Sequence, residues 1–153
     1  MAFLENKIPP PLVAFIFAVA MLCLSFYTPK IAVSVSMQLV LVVLLFLLGA
    51  VFSVSGVVSF RKAKTTVNPL KPESSTSLVI SGVYTITRNP MYVGFVLFLL
   101  AWSAYLASLW AVGFALLYAV YIQRFQILPE ERAMESLFGQ AFIYYKSRVR
   151  RWL

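Results

Sequence analysis

The chain has 153 residues, 61% of them hydrophobic and only 12% charged, with a mean hydropathy of +0.88. A soluble domain of this size leaves much of its surface in water, so it has nowhere to hide that much apolar area, and composition points to a single integral membrane domain. The formal charge is +8 and there is no histidine; the cations come in patches rather than along one basic face, which excludes a nucleic-acid binder, and the missing imidazoles exclude His-based proton transfer and the usual His-containing metal sites.

A short polar start carries Glu5, Lys7 and the run Pro9-Pro10-Pro11. Residues 11–27 form the first apolar stretch. It lacks an A-x-A-like cleavage site and ends in Tyr27-Thr28-Pro29-Lys30, so it is expected as a membrane helix rather than a leader. Its lone Cys23 reads as a small buried hydrophobe. Residues 31–60 form the second span. Thirty residues of helix measure about 45 Å, more than the roughly 30 Å hydrocarbon core. The span must therefore tilt, bend near Gly49 or Gly56, or project beyond the bilayer. Residues 61–90 form a long polar loop with Arg61, Lys62, Lys64, Lys71, Pro69, Pro72 and a Ser/Thr cluster. Residues 91–107 and 109–128 form two more spans joined at Ser108 as a tight hairpin.

The last segment, 130–151, places Met134, Leu137, Phe138, Ala141, Phe142, Tyr145, Val149 and Trp152 at spacings of three and four. This predicts an amphipathic helix lying at the interface, with Lys146, Arg148, Arg150 and Arg151 near anionic head groups. The fold class expected is all-α: four transmembrane helices and a C-terminal interfacial helix. The distribution of cations places both termini and the 61–90 loop in the cytoplasm.

Two short stretches concentrate the polar groups. Asn89-Pro90 reads as a helix start, with Asn as cap and Pro at the first helical position. Pro129-Glu130-Glu131 reads as a second start with acids in its first turn. Both fall at the cytoplasmic face, where they can build a pocket for a charged, water-soluble cofactor. The exposed N–H groups of the turn at Pro90-Met91-Tyr92 can take a carboxylate or phosphate. Arg88 can add a forked cationic contact. Glu130 or Glu131 can hold a ribose diol or an amine, and Tyr84 and Tyr92 can cover a flat ring. Taken singly, each feature also has a structural explanation. Gly94 permits close helix packing, Arg88 anchors a helix end, and the tyrosines form an interfacial belt.

The ordered set R-N-P-M-Y-V-G, a hydrophobic hairpin, then P-E-E-R with F-G-x-x-F-x-x-Y downstream resembles the isoprenylcysteine carboxyl methyltransferase and phospholipid methyltransferase group of membrane enzymes. The likeness runs from about residue 65 to about residue 150. Many members of that group carry His where this chain has Asn89. The resemblance implies S-adenosylmethionine as methyl donor, with Arg88, Asn89, Tyr92 and Gly94 at its methionine end, Glu130 and Glu131 at its ribose or amino end, and Pro69 and Leu70 against adenine. It also implies a lipophilic methyl acceptor that arrives from the bilayer. A carboxylate acceptor of the isoprenylcysteine kind is anionic at neutral pH and needs no base, which suits a chain with five acids and no histidine; a phospholipid amine needs one. Arg132 and Arg124 are candidates for orienting an anionic acceptor. Two further readings are a lipid or sterol reductase using NADPH and a small non-enzymatic transporter. The chain has no G-x-G-x-x-G loop for the first, and no acid inside a span for the second.

Overall fold

The structure is a computed structural model, and it describes residues 5–65 and 75–153. Among these residues the fold is all helix. Helix α1 spans Pro10–Ser25, α2 Val35–Lys62, α3 Pro90–Tyr105, α4 Leu109–Ile122, α5 Leu128–Phe138 and α6 Gln140–Arg148. A 3-10 turn, Gly82–Thr85, precedes α3, and a π-helical turn, Gln123–Ile127, joins α4 to α5 without a break. Two of these helices are long and apolar enough to cross a membrane: α2, and the continuous helix Leu109–Phe138. Helices α1 and α3 are apolar but shorter, 16 residues each.

One end of the bundle gathers the start of α1, the ends of α2 and α4, the start of α3, and all of α5 and α6. Asn6 marks it, donating its N–H to Phe125 O at 3.0 Å. The other end gathers the remaining helix termini. There Ile31 N–H donates to Ala107 O at 2.8 Å, and Gln38 Nε2 donates to the carbonyls of Ala104 and Tyr105 that close α3. The main core lies between α1, α3 and α4, around Met21, Leu99, Ala111, Ala115, Tyr118 and Ile122. Cys23 is exposed on α1, contrary to the buried position expected from its apolar surroundings.

Helix α2 begins at Val35 because Ser34 caps it, its hydroxyl accepting from Met37 N–H at 3.3 Å. It runs through both glycines unbroken. Gly49 and Gly56 are its buried residues, and they are where α3 presses in. A Cβ on Gly56 would lie 2.8 Å from Met91 Cγ. Across the seam, a Cβ on Gly94 would lie 2.0 Å from Ser53 Oγ and 2.7 Å from Gly49 O. Gly94 is thus a packing residue in the α2–α3 seam, as small residues are wherever membrane helices approach closely. It is not among the residues lining the cavity described below. Most of the remaining surface of α2 is exposed apolar side chain, as a lipid-facing wall requires.

Pro129 does not start a helix. A proline inside a helix cannot donate to the carbonyl four residues back and crowds it. Here the π turn loosens the preceding backbone, and the orphaned Phe125 carbonyl is taken by Asn6 N–H. The expected interfacial helix over 130–151 is instead two helices. They meet at Gly139, whose φ of +50° favours glycine. The second of them ends at Arg148, Val149 is extended, and an irregular tail follows.

Candidate functional site

The end of the bundle that holds α5 and α6 carries an open-mouthed cavity. Its polar wall is Tyr84, Arg88, Asn89, Tyr92, Glu130 and Glu131; its apolar wall includes Phe60, Met91, Ile127, Met134, Phe142 and Tyr145. Six of the residues singled out from the sequence therefore meet on one cavity. Pro90 is buried at the first position of α3, beside Gly56, and does not line it. Pro69 and Leu70 lie outside the described residues. Arg124 and Arg132 stand apart from the cavity: both pair with Glu5, Arg124 at 3.1 Å.

The cavity exists because three pieces of chain converge on residues 87–89. Helix α3 starts there, α5 passes it, and the tail after α6 folds back against it. Asn89 occupies the cap position of α3 but does not cap it. Its Nδ2 donates instead to Arg151 O at 2.8 Å, a neutral amide donor holding the tail. Thr87, fully buried, donates from Oγ1 to the same carbonyl at 3.1 Å. The main chain joins them, Arg88 N–H donating to Arg150 O at 3.0 Å. Arg88 Nη1 donates to the carbonyls of Lys146 and Val149, at 3.1 and 2.7 Å, where α6 ends and the helix dipole is negative.

The two adjacent acids have opposite surroundings. Glu131 lies between two guanidiniums: Arg88 Nη2 at 2.6 Å, and Arg151 through Nε at 3.0 Å and Nη2 at 2.7 Å. Glu130 has only neutral donors. Tyr92 hydroxyl and Gln126 Nε2 both donate to its Oε1. Among the described residues its Oε2 accepts nothing. Both acids lie past Leu128, in the part of the long helix that projects beyond its apolar stretch. Burial pushes the Glu130 carboxyl up to about 7, with Tyr92 and Gln126 opposing and the charge of Glu131 adding. Burial also disfavours ionised Glu131, but the hydrogen bonds and charges of Arg151 and Arg88 outweigh it and hold that carboxyl below its ordinary range. Burial raises the phenol of Tyr145, which donates to Tyr84 O at 2.7 Å.

Chemically, the cavity offers one carboxylate oxygen that accepts from no described residue, the Arg88 guanidinium, and aromatic and thioether walls. These suit a ligand that carries a carboxylate, a cationic or diol group, and a flat ring. The residues that sequence reasoning missed are mostly those of α6 and the tail. Met134, Phe142 and Tyr145 were legible as one apolar face, but that face turns to the cavity rather than to lipid. Arg151 carried no signal beyond charge and was read as a lipid-facing cation.

Comparison with known proteins adds a family and two relatives. The family model for phospholipid methyltransferases matches residues 37–141. A Haemophilus influenzae protein described as uncharacterized is 41% identical over 63 residues, which is 41% of this chain and all of that one. An Arabidopsis thaliana protein-S-isoprenylcysteine O-methyltransferase B is 27% identical over 106 residues, or 67% of this chain. The matched region spans about half, 52%, of the plant protein's length. No solved structure matches.

Proposed function

The chain belongs to the phospholipid methyltransferase family, and on that footing we propose that it methylates a lipophilic acceptor in the membrane, with S-adenosylmethionine as donor. The observation that carries the proposal is the acid pair standing over the same cavity as the Arg88 guanidinium, with Glu130 Oε2 accepting from no described residue. When bound, S-adenosylmethionine supplies an activated methyl group on a sulfonium. The residues present fit such a molecule. Glu130 would hold its ammonium or ribose hydroxyls, and the Arg88 guanidinium its carboxylate. Tyr84, Phe60 and Phe142 would offer ring faces to its adenine. Glu131 has no free edge to offer, because it is spent on fixing Arg88. Tyr92 orients Glu130 through a direct hydrogen bond. Holding donor and acceptor together is a large part of what such a site contributes, because positioning alone can supply up to roughly 7–11 kcal/mol of a two-substrate barrier. The same reading has four helices crossing the bilayer, the cavity and both termini in the cytoplasm, and the acceptor arriving from the membrane side.

A carboxylate acceptor, such as an isoprenylcysteine-like one, fits a site with no obligatory base. One observation favours a second acceptor, a phospholipid amine. Glu130, with its carboxyl raised to about 7, can take the proton that an ammonium must lose, and in that reading its Oε2 faces the acceptor instead of the donor.

The test is transfer of labelled methyl from S-adenosylmethionine into a membrane lipid extract, alongside binding of S-adenosylmethionine and of NADPH. Expected are label in the lipid fraction, binding of the first and none of the second. NADPH binding without methyl transfer would end the proposal. An amine acceptor predicts a rate that climbs with pH through about 7 and loses that climb in Glu130→Gln; a carboxylate acceptor predicts no such climb.

A further inference from the structure

We infer that Arg151 is a positioning residue for the cavity, and that the tail from Val149 onward is the strap that carries it. The inference rests on the methyl-donor reading only for what the cavity binds; the strap itself stands on hydrogen bonds.

Helix α6 ends at Arg148, and Val149 is extended, with φ −120° and ψ 133°. From there the chain runs along residues 87–89. Four carbonyls from this region, those of Lys146, Val149, Arg150 and Arg151, accept from Thr87, Arg88 and Asn89. Beyond them, Trp152 Nε1 donates to Gln123 Oε1 at 2.8 Å, which ties the strap to the π turn before α5. The strap thus bridges the start of α3 and the helix bearing the acids, the two elements whose separation sets the width of the cavity.

Arg151 is the side chain that makes the bridge directional. Its guanidinium grips both oxygens of Glu131, while Arg88 takes one of the same oxygens from the other side. A planar fork on a carboxylate fixes orientation as well as distance. With Glu131 held in that plane, Arg88 keeps Nη1 on the tail carbonyls and Nη2 on Glu131. Without Arg151, Glu131 keeps a single contact and can rotate. Arg88 then loses the frame that holds its guanidinium at the cavity wall. Lysine keeps the charge but not the fork, and so restores only part of the geometry.

The experiment uses the full chain in detergent micelles, with S-adenosylhomocysteine as the probe ligand. Arg151→Ala, Arg151→Lys and Arg148→Ala are compared with the unmodified protein; Arg148 stacks on Tyr144 and touches neither acid. Hydrogen exchange at the amides of 87–89 is measured without ligand, and affinity by equilibrium dialysis. In Arg151→Ala, exchange at these amides speeds up and affinity falls, each by about tenfold or more, the scale of a lost charge-assisted pair. Arg151→Lys falls between, and Arg148→Ala matches the unmodified protein in both. Unchanged exchange at 87–89 in Arg151→Ala overturns the inference. So does unchanged affinity in Arg151→Ala when the unmodified protein binds. If the unmodified protein does not bind S-adenosylhomocysteine, the methyl-donor reading fails, and the exchange measurement still decides whether Arg151 holds the strap.

Discussion

Two carboxylates at the cleft end each hold two arginines, and they teach different things. Glu5 pairs with Arg124 and Arg132, whose side chains are 48% and 60% exposed. Glu131 pairs with Arg88 and Arg151, which are 11% and 32% exposed. The chemistry is the same, but the surroundings are not. Glu5 itself is 16% exposed, close to the 13% of Glu131, but both its arginines stand largely in water, so they give up good hydration for a screened attraction and the cluster gains little. Away from water, Glu131 and Arg88 have no alternative partner of equal quality, so the pair specifies where both lie. The first cluster fastens the polar start of the chain near the π turn; the second defines the cavity.

Glu131→Ala is the most direct way to break the contrast. It leaves a mostly buried Arg88 with only the carbonyls of Lys146 and Val149, and the expected loss is about 3 kcal/mol of stability, read from thermal unfolding in detergent. A loss as small as that of an exposed pair would mean that the Glu131 cluster is as solvated as the Glu5 cluster.

The neighbouring acid sharpens the comparison through pH. Glu130 titrates near 7 in the folded protein, above the ordinary carboxyl value of 4.5. A raised acid pKa means that ionisation disfavours the folded state. Stability from this group is therefore greatest below about 4.5, declines as pH rises to about 7, and is level above, a difference on the order of 3 kcal/mol. Glu131 has the opposite sign, its lowered pKa costing stability only as pH falls below the ordinary range. In the intervening window the decline belongs to Glu130, and Glu130→Gln is expected to flatten it. A slope that survives in that variant would place the titration elsewhere. The smallest effect belongs to Glu5→Gln: under about 1 kcal/mol, and smaller still in high salt.

Local signals made much of this site readable. Asn89-Pro90 marked the start of α3 because proline is tolerated at the first helical position and hardly elsewhere. The acid pair was legible as a partner for that corner because a hydrophobic hairpin's length of chain returns to the same face. The same local grammar failed at Pro129. A proline there looks like a helix start, and nothing nearby in the chain reveals that Asn6, over a hundred residues away, supplies the hydrogen bond the helix lacks. The packing of Gly94 was hidden for a related reason. Its place in a motif suggested ligand contact, whereas the backbone and serine of α2 fill the space its side chain would need.

Composition and hydrophobic period were enough to determine an apolar, all-helical chain with one polar end, because those properties are carried by every residue and summed along the helices. The partners of Glu131, the turn of the α6 face toward the cavity and the return of the tail over residues 87–89 were decided only in three dimensions. Each is a contact between segments far apart in the chain. An arginine's identity says that it will seek an acid or water, and only the packed neighbours decide which.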